Sequence, residues 1–119
     1  MKKIEDKDRV DDKTLQTYEE MNLDDIIRET LLCKGEQVVT DDGCIRKSYL
    51  EDTALWLYGL KSNATNKLYV GLNIDRMCQR TGLCHEKTDK LVRVPMGIYN
   101  EAKAINDSYR NNYKETFKR

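Results

Sequence analysis

The residues best suited to chemistry in this chain are four cysteines, Cys33, Cys44, Cys78 and Cys84, and a single histidine, His85. A thiolate is a nucleophile and a soft metal ligand, and an imidazole beside it can serve as a base or as a further ligand. The spacing favours neither use. Structural zinc sites draw two ligands from one tight C-x2-4-C knuckle, because a short turn aims both thiolates at one metal. Here ten residues separate Cys33 from Cys44, and five separate Cys78 from Cys84. Ordinary buried thiols are therefore the expectation, with no metal and no cofactor. For nucleophilic catalysis only a Cys84-His85 or a Cys78-His85 pair offers itself, and adjacent residues on a helix point in different directions. There is no glycine-rich phosphate loop and no H-E-x-x-H motif, so no catalytic residue and no enzyme is expected.

Charge is more informative. Across 119 residues the net charge is zero, yet residues 1–60 hold nine basic against fifteen acidic side chains, a net of −6, and residues 61–119 hold twelve against six, a net of +6. Such an asymmetry suits a nucleic-acid binder with an acidic appendage, and equally suits two halves that attract each other within one fold. A third use is a small interaction module or inhibitor whose acidic half meets a basic partner without touching DNA. No apolar run approaches the roughly 20 residues that span a bilayer, and the opening Met1-Lys2-Lys3-Ile4-Glu5-Asp6 lacks the apolar segment of an export signal. A cytoplasmic protein without membrane contact is expected, in which the sequons Asn63-Ala64-Thr65 and Asn106-Asp107-Ser108 are accidental.

The elements that must position any site follow from periodicity. Residues 1–21 read as a flexible charged leader with some helix near Leu15 to Met21, and residues 22–119 as one domain. Asn22 caps a helix carrying Leu23, Ile26, Ile27 and Leu31 and ending near Gly35. Residues 37–46 predict a β-hairpin turning on Asp42-Gly43. Residues 51–61 form the most apolar helix, with Trp56 expected in the core. A loop over 62–66 and an extended segment over 68–72 follow. Pro95 opens a long last helix whose stripe Ile98, Ala102, Ile105, Tyr109 and Tyr113 must be covered, either by the same chain or by a second copy in a homodimer.

Between these lies a pattern of two short helices about a glycine. Asn73 can cap 74–80, Gly82 supplies the left-handed residue that ends it, and a second helix runs over 84–93. Cys78, four before the glycine, lets the helices approach; Leu83 plugs the elbow; Thr88, Leu91 and Val92 face inward. The stretch from Ile74 to Val92 resembles the helix-turn-helix of bacterial, plasmid and phage regulators. With the preceding helix and strand, about residues 48–93 are similar to winged-helix domains of regulatory and replication proteins. That resemblance implies a mainly α fold with a small β-hairpin, a winged-helix-like helix-turn-helix and a long C-terminal helix, and it implies double-stranded DNA as partner, as for a transcription regulator or a replication, transfer or partition factor. It implies that residues 84–93 are a recognition helix with His85, Glu86, Asp89 and Lys90 toward the bases, while Lys87, Arg93, Arg76, Arg80 and Lys67 anchor phosphates. Glu86 and Asp89 would repel the backbone, and Val94-Pro95 leads quickly into another helical pattern, so that the wing is either missing or replaced by the upstream hairpin around Gly43. The run from Lys90 to Tyr99 also resembles the strand-to-helix entry of ribbon-helix-helix repressors.

Overall fold

The computed structural model describes residues 12–117, and the side chains of residues 16–111. Five helices and two short strands follow in the order α1 (Asp12–Glu20), α2 (Leu23–Lys34), β1 (Cys44–Arg46), α3 (Lys47–Leu57), α4 (Ala64–Thr81), β2 (Leu91–Arg93) and α5 (Met96–Phe117), with a 3-10 turn at Glu36–Val38. The molecule is mainly helical with one two-stranded antiparallel sheet.

α2 is the central helix. Asn22 Oδ1 accepts from Asp25 N, Asp24 and Asp25 sit in the first turn where the helix dipole favours anions, and Gly35 ends the helix at φ 89°. Leu23, Ile26, Ile27 and Leu31 are buried, as their spacing predicts. α5 and α3 pack against α2, and α4 packs against α3. One hydroxyl pair crosses this interior: Thr30 Oγ1 lies 2.7 Å from Thr53 Oγ1. Thr53 donates to the Tyr49 carbonyl, while the single proton of Thr30 is shared between Thr53 Oγ1 and the Ile26 carbonyl, so neither hydroxyl is stranded in the core.

Several expected boundaries move. The Asp42-Gly43 turn exists, with Gly43 at φ 79°, but it does not close a local hairpin. Val38 ends a 3-10 turn, Val39 follows it in extended conformation and both lean on the core, while β1 pairs instead with β2, aligning Cys44 with Arg93, Ile45 with Val92 and Arg46 with Leu91. Ile45 and Val92 are both buried, and that cross-strand burial is what a local hairpin would forfeit. The helix expected over 51–61 begins and ends earlier, at Lys47–Leu57, because Gly59 takes φ 70° and breaks it. Trp56 is not in the core: it is 53% exposed on the outer side of α3.

The largest revision concerns α4. The loop over 62–66, the extended segment over 68–72 and the cap at Asn73 are replaced by one helix of 18 residues. Its cap is Asn63, whose Oδ1 accepts from Asn66 N at 2.8 Å. Val70, Ile74, Met77 and Cys78 fall on one helical face and are buried, and this burial overrides the β propensity of Leu68-Tyr69-Val70. Asn73 instead donates sideways, from Nδ2 to the carbonyl of Tyr18 at 2.7 Å. Gly82 ends α4 in the left-handed conformation, as its position predicts.

Part of the stretch expected as a leader is helical and packed. Residues 1–11 lie outside the described residues, but α1 docks on α4, with Tyr18 and Met21 buried and the Tyr18 hydroxyl donating to Asn66 Oδ1 at 2.8 Å. At the other end Pro95 precedes α5, as expected for a residue with no N–H to satisfy. Ile98 and Ala102 are buried, whereas Tyr109, further along the same stripe, is 72% exposed.

Candidate nucleic-acid interface

No helix forms over residues 84–93. After Gly82 the chain runs out along the sheet: Arg93 N donates to the carbonyl of Leu83 at 2.8 Å, and Cys84 forms an isolated antiparallel bridge with Val92. Residues 85–90 are a loop joining these two edges. Short side-chain bonds hold it in shape. His85 Nδ1 accepts from Lys87 N at 3.1 Å, and Thr88 Oγ1 accepts from Lys90 N at 3.1 Å. Backbone donors satisfied this way are lost to a helix, which is one reason the expected second helix is absent. The other is the sheet itself, since Leu91-Val92-Arg93 gains β1 as partner.

The residues expected to contact DNA therefore fall on three elements. Lys67, Arg76 and Arg80 lie on α4 and are exposed; His85, Glu86, Lys87 and Lys90 lie on the loop; Arg93 lies on β2. Arg93 is engaged, its Nη2 lying 2.6 Å from Glu86 Oε1, so this pair cancels within the hairpin. Asp75 on α4 is likewise paired with Lys47 at 2.9 Å. By contrast Lys61, Lys67, Arg76, Arg80, Lys87 and Lys90 form no ion pair among the described residues, leaving six uncompensated cations on α4, its approach and the loop. Asp89, also exposed, is the acidic exception on the loop.

α4 and the loop are neighbours in space. A cleft of about 440 Å³ is lined on one side by Asp75, Cys78 and Gln79 of α4 and on the other by His85, Lys87 and Thr88 of the loop. The outward face of α4 presents Thr65, Leu68, Tyr69, Leu72, Arg76 and Gln79, opposite the buried Val70, Ile74 and Met77. Of these the sequence singles out only Arg76; Thr65, Leu68, Tyr69 and Leu72 lie in a segment whose composition reads as loop and strand. α1 covers one flank of the face. Tyr18 and Glu19 meet Tyr69, Asn73, Arg76 and Arg80 across a second cleft, and burial raises the Tyr18 hydroxyl above its ordinary pKa, with a smaller contribution from Tyr69.

The cysteines are all unbridged: Cys33 and Cys84 exposed, Cys44 and Cys78 buried. Burial pushes the Cys78 thiol up to about 11, and burial followed by the Asp42 carboxylate raises that of Cys44. Thiols held in the protonated form are poor nucleophiles. The histidine does meet a cysteine, although neither Cys84 nor Cys78 is the one. His85 Nε2 lies 3.2 Å from Asp42 Oδ2, and the Cys44 sulfur closes the group, with one ligand atom from each residue within 4.8 Å of the others. Local cysteine spacing could not reveal this cluster, since Asp42 and His85 are 43 residues apart. Hydrogen bonds from Thr40 and then from His85 hold the Asp42 carboxyl below its ordinary pKa.

None of the described helices is long and apolar enough to cross a membrane. Comparison with protein-family models, with curated proteins and with solved structures finds no match to this chain.

Proposed function

We propose that this protein is a sequence-selective DNA-binding module of the winged-helix type, in which α4 is the recognition helix and residues 85–90 are the wing. The element order supports the reading: helix, strand, helix, helix, then two strand edges about a loop, with the inner edge, β2, paired to β1. In that scheme α3, the turn over 58–63 and α4 form the helix-turn-helix, one helix upstream of the position expected from the Gly82 elbow. The exposed face of α4 enters the major groove, and the loop reaches the neighbouring backbone.

The observation that carries the proposal is the set of six cations without an ion pair among the described residues, Lys61, Lys67, Arg76, Arg80, Lys87 and Lys90, distributed over α4, its approach and the adjoining loop. Such groups release counterions from DNA and supply most of the affinity, while Thr65, Gln79 and the side chains between them read the bases. Leu68 and Leu72 suit the methyl group of thymine. The outer half of α5, with Tyr109 exposed, offers a surface for a second copy, as a protein reading two half-sites requires.

The test is a fluorescence-anisotropy titration of labelled duplex across a salt series. Binding should weaken steeply as salt rises, and replacing Lys67 or Arg80 by alanine should lower the slope of log affinity against log salt by about 1 for each phosphate no longer neutralised. Duplex that stays unbound at low salt refutes the reading.

One observation favours a second reading. Leu68, Tyr69 and Leu72 are 61%, 43% and 52% exposed and adjacent on α4, an apolar strip of the kind that marks a protein partner. On this reading the chain is an interaction module, and the partner covers the same face.

A further inference from the structure

We infer that Asp42, Cys44 and His85 form a binding site for a divalent transition-metal ion of the zinc class, and that occupancy of this site sets the conformation of the 85–90 loop. The inference holds whether or not α4 binds DNA.

The donor set is a thiol, an imidazole and a carboxylate, the three protein ligands that zinc accepts, and their ligand atoms already lie within 4.8 Å of one another. Bonds of 2.0–2.3 Å in a tetrahedron place ligand atoms roughly 3.3–3.8 Å apart. The 3.2 Å between His85 Nε2 and Asp42 Oδ2 is at that value, so closure asks mainly for a shift of about an ångström toward Cys44. Two of the three are anchored by the fold. Cys44 is the first residue of β1 and fully buried, and its N–H donates to Thr40 Oγ1 at 3.0 Å. Thr40 Oγ1 also hydrogen-bonds Asp42 Oδ1, which orients the carboxylate from behind as outer-sphere partners of metal ligands do. His85 stands on the facing loop with its side chain 14% exposed, and Asp42 opens to solvent at 59%, leaving an entry path and room for a water as fourth ligand. The other charged groups near the sulfur, Arg93 and Glu86, pair with each other and so do not repel a cation as a unit.

Binding has a defined consequence for the loop. In the metal-free protein His85 Nδ1 accepts from Lys87 N, so the proton of the neutral ring resides on Nε2 and is donated to Asp42. A metal at Nε2 requires the other tautomer, with the proton on Nδ1. Two N–H groups then face each other at the His85–Lys87 contact, and the turn there must open. The Cys44 thiol proton is released to solvent, and the thiolate and carboxylate balance the charge of the ion. The metal thus joins β1 to the loop while detaching the Lys87 backbone from the His85 ring.

The experiment is a cobalt(II) titration of the reduced, metal-free full-length chain, followed by displacement with zinc. The expected result is a thiolate-to-cobalt charge-transfer absorption with tetrahedral d–d bands, both lost in Cys44→Ser and unchanged in the Cys33→Ser/Cys84→Ser double variant. Because Cys44 is a core residue, Asp42→Asn and His85→Ala, which change the surface, provide the folded controls; each should weaken affinity at least about tenfold, comparable with or beyond the effect of removing an outer-sphere partner. In parallel the Lys87 amide should exchange faster in the zinc-loaded protein. No charge-transfer band in the wild type, a band that depends on Cys33 or Cys84, or an affinity indifferent to both Asp42→Asn and His85→Ala overturns the metal site. A Lys87 amide that exchanges no faster with zinc bound overturns its coupling to the loop.

Discussion

Lys47 Nζ and Asp75 stand 2.9 Å apart, joining the first turn of α3 to the middle of α4. The pair neutralises one of the few carboxylates beside the proposed DNA face, at the edge of the cleft between α4 and the loop. Asp75→Asn should therefore free a cation and remove an anion at the same spot. On the DNA-binding reading, affinity at low salt rises and its salt dependence steepens, measured by anisotropy on one duplex. The cost in stability should be no more than about 1 kcal/mol, because Asp75 is partly exposed and such pairs contribute little.

A second ion pair controls stability in acid. The Glu36 carboxylate accepts from Arg110 at 2.6 Å and from Asn106 Nδ2 at 3.0 Å, clamping the 3-10 turn to the middle of α5. The hydrogen bond from Arg110 is the main cause holding its pKa below the ordinary value of 4.5. A carboxyl depressed in the folded state adds stability that is fully present above its unfolded pKa and is lost as pH falls through the folded one. Thermal melts of wild type and Glu36→Gln should thus differ at neutral pH, with wild type the more stable. The two should converge progressively as pH falls from 4.5 through the depressed folded value, where the native carboxyl becomes protonated. A constant gap across that range would show that Glu36 acts through packing alone.

The parts of the fold legible in the sequence are those decided locally. Asn22, Gly35, Gly82 and Pro95 punctuate the helices where their backbone chemistry says they should, and the three- and four-residue spacing in α2 and the start of α5 identifies the buried faces. What local reasoning misses is set by distant partners. β1 is a strand only because residues 91–93 arrive beside it, and residues 84–93 fail to be a helix for the same reason. The local pattern puts the cap at Asn73, whereas the helix is capped ten residues earlier at Asn63, because burial of Val70 makes the intervening segment helical. For the candidate site, the resemblance to a helix-turn-helix points to Lys67, Arg76, Arg80, Lys87 and Lys90 but places the last two on a helix, whereas they lie on the loop beside α4. The Asp42–Cys44–His85 cluster leaves no trace in spacing.

Two glycines of α4 and its end should respond to alanine with opposite signs. Gly82 holds φ 73° with nothing within 4 Å of a would-be Cβ, so Gly82→Ala suffers only the left-handed backbone and should lose about 1–2 kcal/mol. Gly71 lies inside the helix at ordinary φ, and its Cβ would sit 3.5 Å from Glu51 Oε2, a normal contact. Gly71→Ala should then gain up to about 1 kcal/mol from helix propensity. Urea unfolding of the two variants checks both. Equal losses would mean that α3 and α4 pack too closely at Gly71 for a methyl group.

Leu72 separates the two functional readings. It is 52% exposed at the centre of the outward face of α4, so its replacement should alter stability by no more than about 0.5 kcal/mol. If α4 lies in the major groove, Leu72→Glu places an anion against the phosphates and should abolish binding. Leu72→Lys should then raise non-specific affinity while narrowing the gap between target and random duplex. If the strip of Leu68, Tyr69 and Leu72 is instead a protein contact, both charges are buried on docking and both variants lose the partner alike. Opposite responses to lysine and glutamate, read by anisotropy on duplex, identify DNA as the occupant of this face. Duplex binding that leaves both variants at wild-type affinity would remove α4 from the interface altogether.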